Sequence, residues 1–176
     1  MTTHDPDLDG EIENAVVDYI RMIADVTTQA GHGRPEWVYR SAYHLLLALG
    51  RFFVPAPRAP GIPKMPDRYC YENASVTANA NASDGLLYAE GFATPGAVMG
   101  LPLAHAWCVT PDGTVVDPTW QDSGAVYFGI ALADSAIQPP YAGGLLSDFE
   151  QCLPLLRDGV PATALADIGR RPTGLP

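Results

Sequence analysis

His105, Trp107, Asp117 and Trp120 crowd around a single Pro111-Asp112-Gly113 turn in the stretch LAHAWCVTPDGTVVDPTW. A histidine held by a carboxylate is half of a nucleophilic site. The carboxylate fixes the tautomer and stabilises the imidazolium, and the other ring nitrogen activates a thiol or hydroxyl. Whether this pair can meet depends on the turn. Pro111 sets φ at the first corner, Asp112 suits the second, and Gly113 accepts the left-handed conformation at the third. That pattern predicts a three-residue hairpin loop with a glycine bulge, in which Thr110 faces Thr114 and His105 faces Thr119. Asp117 is then the diagonal neighbour of His105 on the same face, about 7 Å away at Cα. A two-residue Asp-Gly turn would put the two on opposite faces, because a slip of one residue flips every side chain. The turn chemistry therefore predicts that this His and Asp meet.

The thiol lies upstream. Cys70 follows a proline-rich connection at the point where a helix is expected to begin. A helix N-terminus carries partial positive charge, which favours a thiolate. A thiolate beside an imidazolium is the activated nucleophile of many acyl-transfer enzymes.

The elements that must position these groups follow from periodicity. Residues 11–30 place Ile12, Val16, Tyr19, Ile20 and Ile23 at helical spacing, and Gly31-His32-Gly33 stops that helix. Residues 35–53 predict a second helix, with Pro35 in its first turn and Val38, Ala42, Leu45, Leu46 and Leu49 facing the core. The five prolines of residues 54–66 exclude a helix interior or a central strand, so an extended connection is expected. Residues 70–83 read as a short helix carrying Cys70. Strands are expected at residues 86–93, 101–109, 114–119 and 125–132, and a closing helix at 145–156. Helices, a Cys-bearing helix and then an antiparallel sheet make an α+β arrangement in one domain, residues 1–176, with 1–10 and 158–176 loosely ordered.

Cys70-Tyr71, then His105-Ala106-Trp107, then Val116-Asp117-Pro118-Thr119 resembles the transglutaminase-like group of the papain-like cysteine-enzyme superfamily. The resemblance runs over residues 70–120, about a third of the chain. It implies a Cys on a helix N-terminus facing a His and an Asp on adjacent strands. Cys70 is then the nucleophile, His105 the general base and later acid, and Asp117 the orienting group. The implied activity is hydrolase or acyltransferase action on an amide, isopeptide or thioester bond. The substrate is a peptide, a protein or a small acyl compound, the acceptor is water or an amine, and neither metal nor organic cofactor is needed. The chain departs from the pattern at Arg68-Tyr69, where the family often has Gly or Gln before the Cys. The upstream Gln of papain-type oxyanion holes has no counterpart, which leaves Asn73 and Tyr69 as candidates for a second donor. Cys70-Tyr71-Glu72-Asn73 also resembles arylamine N-acetyltransferases, which use the same Cys-His-Asp set, although this chain is short for that fold's substrate lid. If the site is idle, the same cleft implies a peptide- or small-molecule-binding protein.

Other residues have competing explanations. Trp107 shares the face of His105 and either walls the site or packs in the core. Glu90, an acid inside an apolar strand, lines the substrate cleft or binds backbone near Cys70, unless it is a solvated edge residue. Trp120 is expected to face away from His105 and to pack. His44 reads as a core or boundary histidine, and Cys108 and Cys152 as structural. The segment 5–16 matches the first half of a calcium loop, yet position twelve is Val16, and an acidic helix start explains the same residues.

The bulk numbers bound the function. The net charge is −10 with 10 Lys+Arg, which disfavours nucleic acid as a partner and a strongly anionic polymer as a substrate. No run approaches the ~20 apolar residues of a membrane span, and the acidic start is unlike a signal peptide. Three cysteines without a CxxC suit free thiols, and hence a cytoplasmic location.

Overall fold

The computed structural model describes residues 6–96, 100–133, 137 and 143–173. The chain folds as α+β. Helices α1 (Pro6–Gln29) and α2 (Ala42–Leu49) precede strand β1 (Arg51–Phe53) and helix α3 (Cys70–Ala80). A 3-10 turn at Ala82–Asp84 leads into strands β2 (Leu87–Thr94), β3 (Leu103–Val109), β4 (Val115–Val116) and β5 (Val126–Ala131), and helix α4 (Phe149–Asp158) follows. The sheet is antiparallel in the order β1-β5-β2-β3-β4. No helix among the described residues is long and apolar enough to cross a membrane.

Alternation along the strands divides the interior into two cores. On one face Tyr88, Phe92, Ala106, Cys108, Phe128 and Ile130 pack against side chains from all four helices, among them Val16, Ile20, Leu45, Leu46, Ala74 and Leu155. On the other face Phe53, Ala89, Trp107, Val109, Val115 and Tyr127 form a smaller core. No helix among the described residues supplies it. Trp120 and the tail residues Ala166 and Ile168 cover it instead. Full burial of Trp107, Tyr127 and Phe128 contributes about 2–3 kcal/mol each.

The second helix is shorter than its hydrophobic pattern suggests. Ser41 caps it, its hydroxyl accepting from the His44 N–H, and residues 34–41 stay irregular. Val38 is therefore exposed and is no core residue. The helix ends at Gly50, where a Cβ would run into the Phe128 ring at 2.5 Å, and residues 51–53 extend to pair with β5. Pairing with the sheet overrides the helical periodicity of Arg51–Phe53. The closing helix starts later than expected, capped by Asp148, because residues 145–147 are tied to Glu90 instead.

Among the residues at either end, 1–5 lie outside the described residues and 6–10 open α1. The C-terminal segment runs along the sheet edge: Ala164 is buried, Leu165 bridges Leu132, and Arg170 exchanges backbone hydrogen bonds with Phe52.

Gly91 and Gly129 stand side by side in the row that contains His105. A side chain at Gly91 would drive into the Phe128 carbonyl, and one at Gly129 would meet the Trp107 indole at 2.9 Å. Gly91 lets β2 and β5 approach closely, and Gly129 leaves room for the Trp107 indole. Gly91→Ala is expected to lower stability by about 3 kcal/mol, measured by urea unfolding, since the obstructing atom is backbone and cannot swing away.

Candidate active site

The Pro111-Asp112-Gly113 turn adopts the three-residue form. The Thr110 N–H donates to the Thr114 carbonyl at 3.0 Å, the Gly113 N–H donates to the Thr110 carbonyl at 2.9 Å, and Gly113 has φ +85°. The Asp112 carboxylate accepts from the Thr110 hydroxyl and from the Thr114 N–H. The register pairs Val109 with Val115 and Cys108 with Val116. His105 and Asp117 consequently share a face, and His105 Nε2 bonds Asp117 Oδ2 at 2.8 Å.

The ladder stops at Val116, three residues before the expected strand end at 119. Asp117 turns the chain: its Oδ1 accepts from the N–H groups of Thr119 at 2.8 Å and Trp120 at 3.1 Å. This Asx turn swings Trp120 back over the histidine, and the two rings stack at 4.0 Å between centroids and 12° between planes. The expectation that Trp120 faces away fails for that reason. Its signal was present in Asp117-Pro118-Thr119, which initiates a turn more readily than it continues a strand.

Asp117 Oδ2 also accepts from the Tyr127 hydroxyl at 2.9 Å, and that hydroxyl accepts from the Gly124 N–H. Tyr127 comes from β5, two strands away from β3 in the sheet, and nothing local marked it. Four donors thus converge on one carboxylate that is 3% exposed. Burial works to raise the Asp117 pKa, but the bond and charge of His105 and the two backbone N–H groups hold it below the usual carboxylate range. Burial likewise works to lower the His105 pKa, yet the bond to Asp117, the neighbouring Cys70 and the carboxylate charge carry it above the ordinary histidine value. A stacked indole adds to this, since an aromatic face favours a cation.

Cys70 is the first residue of α3. Its side chain lies beside the His105 ring, close enough to act on the charge of the imidazole. With Nε2 engaged by Asp117, Nδ1 is the nitrogen left for the thiol. The helix start is clamped to the Asp117 turn from two sides. The Met65 N–H donates to the Pro118 carbonyl at 2.7 Å. The Asn73 amide donates to the Pro66 carbonyl at 2.7 Å and to the Thr119 hydroxyl at 3.0 Å. Arg68 takes a left-handed φ of +70° to bring the chain into the helix, a conformation uncommon for a residue with a side chain. The first helical bond runs from the Asn73 N–H to the Tyr69 carbonyl, so the N–H groups of Cys70, Tyr71 and Glu72 precede the helical ladder.

The other two thiols differ. Cys108 is buried and donates to the Ala74 carbonyl, and burial pushes its pKa well up. Cys152 is buried in the helical core, its pKa pushed up to about 12. Cys70 is partly open to solvent.

The remaining candidates take distinct places. Trp107 is fully buried behind His105, 6.2 Å between ring centroids, so it backs the imidazole and cannot touch a substrate. Asn73 is 2% exposed with its amide spent on the two bonds above, so it braces the helix start and is no oxyanion donor. Tyr69 is 55% exposed beside Cys70, within the reach of a bound molecule. Glu90 is neither edge nor solvated. It is 2% exposed and accepts from the Tyr88 hydroxyl at 2.8 Å and the N–H groups of Leu145 and Leu146 at 2.7 and 2.8 Å. Burial pushes its carboxyl up despite these donors. Among the described residues no group of His, Cys, Asp and Glu is arranged to hold a metal ion.

No family model, curated protein or solved structure matches this chain.

Asp117→Asn is expected to drop the His105 pKa below the ordinary value, because burial then loses its main opponent. An NMR titration of the ring measures this, and an unchanged value would mean that Asp117 does not set the charge of His105. The same variant is expected to flatten the acid limb of stability. The wild-type carboxylate, held below its unfolded value of about 3.9, contributes fully above that pH and less as pH falls through the folded value. Urea midpoints between pH 5 and pH 3 give the two slopes.

Proposed function

We propose that this chain is a cysteine-nucleophile hydrolase or acyltransferase with a papain-like, transglutaminase-like core, acting on an amide, isopeptide or thioester bond. One observation carries the reading: the partly exposed Cys70, at a helix start, lies beside a histidine whose Nε2 is held by the buried Asp117.

In the proposed reaction the Cys70 proton passes to His105 Nδ1 as Sγ attacks the carbonyl carbon. The developing oxyanion is met by N–H groups at the start of α3, which lie before the first helical bond and add the positive end of the helix dipole. As the tetrahedral adduct collapses, His105 returns the proton to the leaving amine or thiol, and a thioester to Cys70 remains. Water or an amine then enters, gives its proton to His105 and attacks the thioester. The acyl product departs, and Cys70 is regenerated with the proton from His105. Asp117 keeps the imidazole oriented throughout and stabilises its charged form. The chemistry calls on no metal or organic cofactor.

A second reading, a binding protein built on an idle relative of the same site, is favoured by Asn73, whose commitment to Pro66 and Thr119 removes one side-chain oxyanion donor. Thiol reactivity separates the two. Iodoacetamide at pH 6, followed by peptide mass spectrometry, is expected to modify Cys70 at least tenfold faster than free glutathione, and His105→Ala is expected to abolish that advantage. In turnover assays with activated esters, Cys70→Ala is expected to remove activity and His105→Ala to lower kcat about 10³-fold. A slow Cys70 that ignores His105 would favour the binding protein.

A further inference from the structure

A cavity of about 240 Å³ lies on the helical face of the sheet, lined by residues next in sequence to Cys70 and His105. Tyr71, the residue after Cys70, forms one wall, and Ala104, the residue before His105, forms another. Phe92 lies between them and is fixed by ring contacts at 6.0 Å to both Tyr19 and Tyr43. Leu46 and Leu146 complete the apolar lining. Ser147 stands beside Tyr71 in the same lining, its hydroxyl accepting from the Gly144 N–H. Glu90 forms the floor, and Gly144 passes so close to it and to Tyr71 that a Cβ there has no room.

We infer that this cavity is the acyl subsite of the proposed enzyme and takes an uncharged branched or aromatic acyl group. The inference rests on the catalytic reading of Cys70 and names its substrate class. Three features argue for it. The size fits: a dry apolar cavity of about 150 Å³ already holds benzene, so this one admits a phenyl or branched aliphatic group with room to spare. The lining is aromatic and aliphatic, which suits an apolar guest. The floor selects on charge in two ways. The oxygens of Glu90 are already engaged by the Tyr88 hydroxyl and by the N–H groups of Leu145 and Leu146, so no cationic group is needed to satisfy them. An anionic acyl chain would bring a second carboxylate toward the first, and each disfavours the charge of the other. Ala104 and Ala42 carry the smallest side chains in the lining apart from Gly91, and a larger residue at Ala104, next to His105 in sequence, would narrow the cavity.

Two readouts test this, and only one needs turnover. In the first, p-nitrophenyl acetate, isovalerate, phenylacetate and hemisuccinate are compared by kcat/KM in wild type and in Ala104→Leu. The phenylacetate and isovalerate values are expected to exceed that of acetate at least tenfold and the hemisuccinate value to be lowest. Ala104→Leu is expected to bring the phenylacetate-to-acetate ratio below one. In the second, Cys70 exchanges with the symmetrical disulfides of methanethiol, 2-phenylethanethiol and mercaptoacetate, each exchange releasing one thiol. The mercaptoethanol concentration that half-reverses each mixed disulfide is then read by mass spectrometry. The phenylethyl adduct is expected to need at least tenfold more reductant than the methyl adduct, the mercaptoacetate adduct less, and Ala104→Leu to erase the phenylethyl advantage. Circular dichroism melting establishes that the variant is folded. Adducts that all reverse alike, or an advantage that survives Ala104→Leu, overturn the subsite whether or not esters are cleaved. A phenylethyl advantage without Cys70-dependent ester cleavage supports the cavity and its ligand class and defeats the catalytic reading. Ester cleavage without acyl preference does the reverse.

Discussion

The Asp117 carboxylate is the point on which this structure turns. It sits in the interior at 3% exposure and receives hydrogen bonds from His105, Tyr127, Thr119 and Trp120. An unpaired charge at such depth would cost several kcal/mol, so every one of these donors is held in place by the need to satisfy it. The donors come from β3, β5 and the turn that Asp117 itself begins. One side chain thus fixes the histidine tautomer, ends β4, folds Trp120 over the imidazole and ties β5 to the far edge of the sheet. The clamp from Met65 and Asn73 to Pro118 and Thr119 then fastens the start of α3 to that same turn, which is why Cys70 arrives beside His105.

A second buried carboxylate works on the opposite face. Glu90 accepts from Tyr88 on its own strand and from the backbone of residues 145 and 146, and so pins the segment leading to α4 against the sheet. The two acids divide the labour. Asp117 organises the edge where the thiol and imidazole meet, on the face covered by Trp107 and Tyr127. Glu90 organises the helical face and floors the cavity next to Tyr71. Burial pushes the two in the same direction, but the charged partner His105 belongs to Asp117 alone, and their pKa values part in consequence. Separate environments for two acids so near one site are what allow one to hold charge beside a base and the other to shape a pocket.

The aromatic and glycine pattern is the packing counterpart of this electrostatics. The Trp107 indole occupies room that Gly129 leaves, while Gly91 lets β2 and β5 approach closely. Trp120 closes the imidazole from another side. Together they exclude water from the His105–Asp117 bond, which strengthens it, while Cys70 stays partly open for an incoming molecule.

The hairpin and the His105–Asp117 pair were legible in the sequence because both are local. Pro111-Asp112-Gly113 favours the three-residue loop over the two-residue one, loop length sets register, and register sets which side chains share a face. The α+β order and the helix carrying Cys70 were legible for the same reason, through periodicity and the proline-rich connection before it. The end of α2 was not, since a Ser cap and the demand of β5 for a pairing partner outweighed a helical hydrophobic pattern. Nor were the places of Asn73, Trp107, Trp120 and Glu90, whose roles depend on what stands opposite them. Tyr127 could not be found at all, because the acid it serves is ten residues away in sequence and reached only by way of the sheet. Sequence determined which groups are chemically able to act. Tertiary structure decided which of them meet, because burial and long-range hydrogen bonding depend on partners that no local window contains.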